Sequence, residues 1–139
     1  MRPIAMNTPY RIEDNPHKGN KGLTRALRAA INSWNGLIYA YQEESAFRQE
    51  LALALILIPL AFILPVGHVE RLLMIGSVLL VLIVELLNSS VEAAIDRISY
   101  EMNDLSKRAK DFGSAAVMLA LITCLLIWGT VIYQTFLSR

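Results

Sequence analysis

The sequence predicts an all-α membrane protein: three transmembrane helices preceded by an amphipathic interfacial helix. Composition and charge placement carry that expectation. The 139 residues, enough for one domain, are 55% hydrophobic and 18% charged, which is not an ordinary soluble profile. Among the charged residues, Glu85 alone lies between Leu72 and Val91, and none lies between Gly113 and Leu137. A chain this short cannot wrap three uniformly apolar helices in polar ones, which argues against a soluble bundle. The net charge of +1 gives no reason to expect a nucleic-acid partner. The lone Cys124, in an apolar run, excludes an internal disulfide and a cysteine-based zinc site.

Residues 1–20, with Pro3, Pro9 and Pro16, read as a flexible tail, and residues 21–139 as a single membrane-embedded domain. In 22–42, Leu23, Leu27, Ala30, Ile31, Trp34, Ile38 and Tyr41 recur every three or four positions, while Arg25 and Arg28 fall elsewhere. That pattern suits a helix lying in the membrane interface with its basic residues toward water. Its rival is a helix packed on a protein partner. The first span is expected at about 47–65, overlapping the charge-free 51–69 "LALALILIPLAFILPVGHV". The run 72–84, "LLMIGSVLLVLIV", is too short alone and reaches spanning length only by continuing through Glu85, giving a second span at about 70–96 with a stop near Asn103-Asp104. The third, 113–137, is "GSAAVMLALITCLLIWGTVIYQTFL", with a helix start expected at Gly113-Ser114. No segment resembles a cleavable signal peptide.

Basic residues orient these spans. Seven Lys/Arg precede the first span, and Arg97, Lys107, Arg108 and Lys110 fall in the second connection; Arg71 and Arg139 are alone on the other side. The N-terminus and the 97–112 loop are therefore expected in the cytoplasm and the C-terminus outside.

Chemistry concentrates in 84–98, "VELLNSSVEAAIDRI". On a helix, Glu85, Asn88, Glu92 and Asp96 fall within an arc of about 80°, and Glu85 stands about 10 Å from Glu92 along the axis. A carboxylate at membrane depth costs several kcal/mol unless paired, protonated or wetted. Glu92 and Asp96 alone would read as a solvated helix end, and Glu85 alone as an interhelical hydrogen bond. Aligned, they suit a division of labour: Glu85 takes a proton from a lipid hydroxyl, and Glu92 reaches Mg²⁺, a hard cation that prefers oxygen. Glu44 or Glu50 could add a second metal ligand, and Lys110 could meet phosphate. There is no G-x-x-x-x-G-K-[ST] loop and no kinase-type glycine loop. These residues imply a cytoplasm-facing acidic site fit for Mg²⁺-dependent chemistry on a lipid, and they do not single out ATP.

Together with "EESAFRQE" (43–50) and "SKRAKDFGSAAV" (106–117), this string resembles the prokaryotic diacylglycerol kinase family, from about Gly22 to the end of the third span. The pattern E-x-x-N-[ST]-x-x-E-x-x-x-D is very specific. The resemblance implies a homotrimer in the bacterial inner membrane, with sites shared between subunits. It implies transfer of the γ-phosphoryl group of ATP to diacylglycerol, giving phosphatidic acid. On this chain Glu85 matches the general base, and Glu44 and Glu92 the metal ligands that hold Mg-ATP. Arg25, Glu101, Lys110 and Asp111 match nucleotide contacts. Asn88 shares the motif, with Asp96 beside it; Glu50 and Ser114 match positions near the lipid, and Trp34 belongs to the interfacial helix. Asn32 and Ser99 depart from the family pattern, where an aromatic and a glycine are expected. The rivals are an undecaprenol kinase of the same family and a non-enzymatic membrane oligomer with Glu85 in its lumen.

Overall fold

A computed structural model describes residues 22–98 and 103–138, and all regular structure among them is helical. Helix α1 is Leu23–Glu43, α2 Ser45–Ile63, α3 His68–Ile98 and α4 Asp104–Ile132, the last running into a π-helical turn at Tyr133–Leu137. The chain divides into two compact units, one ending at Leu37 and one beginning at Ile38. The first is the N-terminal part of α1. In the second, α2, α3 and the helix running through Leu137 are each long and apolar enough to cross a membrane.

Helix α3 is central in the second unit and packs on both α2 and α4. Small side chains make the approach close: Ala54 and Ala61 on α2 are almost fully buried, together with Met74 and Val78 on α3 and Trp128 and Val131 on α4. Where lipid tails are as apolar as leucine, van der Waals fit and interhelical hydrogen bonds hold helices together. Both operate here. The indole Nε1 of Trp128 donates to the Met74 carbonyl at 3.2 Å. The buried Ser77 hydroxyl donates to that carbonyl at 2.8 Å and lies 3.5 Å from Cys124 Sγ. Cys124 is half-buried filler in this seam.

The turn joining α2 to α3 is built around Arg71. Its Nε donates to the Ala61 carbonyl at 3.0 Å and its Nη2 to those of Leu64 and Val66 at 3.3 Å. These carbonyls belong to the last turn of α2 and to the connection, which lack intrahelical donors. The basic residue counted toward membrane orientation therefore also closes a helix end.

The start of α4 differs from the expectation. It begins at Asp104, capped by Asn103, whose side chain accepts from the Leu105 N–H at 2.8 Å. Gly113-Ser114 is therefore no helix start but lies inside α4. The stretch 104–112 is too polar to count as a span, yet only its hydropathy argues for a loop; Asn103 is a good N-cap and no proline interrupts the helix after it.

A candidate acidic site at one end of the helices

Three elements bring several of the predicted residues together. The single residue separating α1 from α2 is Glu44, extended at φ −104° and ψ 112°, which makes it the N-cap residue of α2. The exposed carbonyls at the end of α1 are satisfied by Arg48, whose Nη1 donates to those of Tyr41 at 2.9 Å and Gln42 at 3.0 Å. Arg48 thus spans the break at Glu44. Glu50 follows on α2, half-buried, its Oε2 enclosed and without a hydrogen-bond partner.

Helix α3 supplies the other side. Glu85 is only 4% exposed and is the one buried charged residue among the described residues. The charges of Glu44 and Glu92 act directly on it, and its own acts on Glu50. Carboxylates from two helices thus converge on one region. Three residues on from Glu85, Asn88 Nδ2 donates to Glu92 Oε1 at 3.1 Å. Asn88 Oδ1 is buried without a partner.

Helix α4 runs antiparallel to α3, so Ser77 meets Cys124 deep in the seam while Asp96 meets Lys110 near its polar end. Lys110 Nζ and Asp96 Oδ1 are 2.6 Å apart, both side chains partly exposed. Between these pairs, Gly113 abuts Asn88 so closely that a Cβ there would collide with the amide oxygen. Asp111 and Ser114 are exposed neighbours on α4. Arg25 and Trp34 lie exposed on α1 in the first unit, and Glu101 falls outside the described residues.

Sequence reasoning misses the roles of two residues at this site. Gly113, expected to open a helix, instead provides the close approach between α3 and α4. Arg48, one of several charges before the first span, braces the break that carries Glu44. A glycine three residues after Lys110, and an arginine four residues after Glu44, are the signals the sequence offers.

The donor set suits a hard divalent cation. Glu44 and Glu92 offer carboxylate oxygens, and both act on the buried Glu85. No group of three or more His, Cys, Asp or Glu among the described residues is placed to hold a metal alone. Two carboxylates are the donor set that protein commonly offers an ion of the Mg²⁺ type, with substrate phosphates filling the other positions.

Fold and site together define a small polytopic membrane protein with an acidic cluster at one end of its helices. A family model for the prokaryotic diacylglycerol kinases matches residues 31–132, and the chain belongs to that family. It is 50% identical to a diacylglycerol kinase of Pseudomonas aeruginosa, over 87% of this chain and 98% of that one. It is 47% identical to the diacylglycerol kinase of Escherichia coli K12 (83% and 94% covered) and 49% identical to that of Haemophilus influenzae (81% and 95%). The matched stretch encloses every candidate residue from Trp34 to Ser114, and Arg25 precedes it.

Proposed function

We propose that the protein is a Mg²⁺-dependent kinase that transfers the γ-phosphoryl group of ATP to the free hydroxyl of diacylglycerol, giving phosphatidic acid and ADP. The observation that carries the reading is the buried Glu85 beside Glu44 and Glu92, in a chain half identical to a diacylglycerol kinase. Glu85 accepts the proton of the lipid hydroxyl as that oxygen forms its bond to the γ-phosphorus. The bond from the γ-phosphorus to the bridging oxygen breaks, and the electron pair leaves with ADP. Phosphoryl transfer asks chiefly for positioning and charge neutralisation, so a bilayer that fixes the depth of the acceptor already does part of the work.

Glu44 and Glu92 would hold Mg²⁺, which supplies screening of the β- and γ-phosphate charge when bound. Asn88 orients Glu92 through its 3.1 Å hydrogen bond. Lys110 leaves Asp96 for a phosphate, and the family resemblance assigns further nucleotide contacts to Asp111, Arg25 and Glu101. Glu50 and Ser114 border the lipid, and α1 lies in the interface with Trp34 at headgroup depth. This assignment sets the N-terminus and the Glu92–Lys110 end in the cytoplasm of a bacterial inner membrane, supported by eleven Lys/Arg on that side against two. A homotrimer with shared sites is the assembly that the family resemblance implies.

The test is phosphate incorporation from labelled ATP into diacylglycerol, using purified protein in mixed micelles with Mg²⁺. Undecaprenol is offered in parallel, beside a Glu85→Gln control. Product on diacylglycerol with wild type and none with the variant establishes kinase and base together. Activity surviving in Glu85→Gln removes Glu85 as base, and product on undecaprenol alone reassigns the acceptor.

A further inference from the structure

We propose that Gly113 is a positioning residue for the phosphoryl transfer: by lacking a side chain it fixes the amide of Asn88, and through it the carboxylate of Glu92. That role rests on the reading of Glu92 as a ligand of the nucleotide's metal.

Asn88 has two jobs for one short side chain. Its Nδ2 donates to Glu92 Oε1 at 3.1 Å, while its Oδ1 points into the α3–α4 seam, buried and without a hydrogen-bond partner. A buried, unpaired amide oxygen is costly, and a native structure that keeps one does so for a reason. Here the neighbour is Gly113, whose missing Cβ leaves the space that the oxygen fills. Any Cβ at position 113 would overlap Oδ1 and press on Cγ. Asn88 is not a long chain with a free end that can swing aside. Relief requires rotating the amide or separating the helices, and rotating it breaks the bond to Glu92. Reversing the amide in place would turn its oxygen on the Glu92 carboxylate, which also breaks it. The seam thus holds Nδ2 toward Glu92 without a further polar partner.

Glycine is a poor helix former, and Gly113 stands inside α4. Alanine at that position favours the helix while obstructing Asn88, so its effects on folding and on catalysis separate. In Gly113→Ala, kcat/KM for ATP is expected to fall on the order of ten- to a hundred-fold, the scale of a reacting group displaced by about an ångström. Helix content should be unchanged, and the Mg²⁺ concentration for half-maximal rate should rise.

The decisive arm is a double-mutant cycle with Asn88→Ala, since residues acting through one another are not additive. Once the amide is gone, the added methyl meets only the Cβ of residue 88 at 3.7 Å, an ordinary van der Waals contact, and Gly113→Ala should cause no further loss of rate or of Mn²⁺ binding, measured directly by spin resonance. Should the single variant fail to fold while the double variant folds, the clash is placed at Asn88 and the proposal stands. Equal losses in both backgrounds, no loss in either, or failure of both to fold overturns it. A Glu92→Gln variant with unaltered Mg²⁺ dependence, beside an intact Gly113–Asn88 coupling, removes the metal-ligand reading of Glu92 and leaves the positioning role.

Discussion

Lys110 on α4 reaches across to Asp96 on α3, Nζ to Oδ1 at 2.6 Å, one turn beyond Glu92. Both side chains remain partly exposed, and ion pairs in such settings add little to stability. In the proposed function Lys110 exchanges this carboxylate for a phosphate of the nucleotide. Lys110→Ala should raise KM for ATP at least several-fold while leaving the thermal midpoint nearly unmoved. A large fall in the midpoint with normal KM would make the lysine structural.

Arg48 is expected to act through Glu44. Its guanidinium holds the carbonyls of Tyr41 and Gln42, and Glu44 is the residue at the break. Arg48→Ala should shift the Mg²⁺ titration of activity to higher concentration, and Arg48→Lys, which keeps the charge without the fork, should lie between. An unchanged Mg²⁺ titration in both variants would separate Arg48 from the metal.

Arg71 presents the opposite case. It serves three carbonyls at the α2–α3 turn, about 21 Å along α3 from Glu85. Arg71→Met leaves the Ala61 and Val66 carbonyls without this donor, while Leu64 O keeps the Val66 N–H, and should cost about 1–3 kcal/mol. Rate per folded molecule should stay the same; active protein should simply be lost at a lower temperature. A changed KM for either substrate would contradict that division.

The apolar seam divides between fit and hydrogen bonding, and two variants measure each. Ala61 is fully buried, so Ala61→Leu should overpack the α2–α3 contact and cost about 1–3 kcal/mol. Trp128→Phe keeps a six-membered aromatic ring but loses the donor to Met74 O together with the rest of the buried indole, and interhelical hydrogen bonds in membranes contribute about 0.6 kcal/mol on average. Unfolding in mixed micelles should therefore rank Ala61→Leu as the more damaging. The reverse ranking would mean that losing the Trp128 donor and indole volume outweighs overpacking at Ala61.

The spans were legible because hydrocarbon imposes a one-dimensional rule: an uncharged run of sufficient length must cross or be buried. The array of Glu85, Asn88, Glu92 and Asp96 was legible for a similar reason, since residues on one continuous helix inherit their common face from its period alone. The start of α4 was not. Polar residues 104–112 carry no hydropathy signal, and a capping asparagine looks the same whether it ends one element or opens the next.

What the sequence by itself determined was everything that depends on a single helix: three apolar elements, their polar ends, and a carboxylate at the end of an apolar run. Tertiary structure alone decided which helices meet and in what register. Only the antiparallel pairing of α3 with α4 sets Gly113 against Asn88 and Lys110 against Asp96. Only the turn after Ile63 brings Arg71 back to the end of α2. The helical period makes residues on one helix share a face, but contact between helices depends on interaxial packing, where a glycine or alanine far away in the chain determines how near the partner can come.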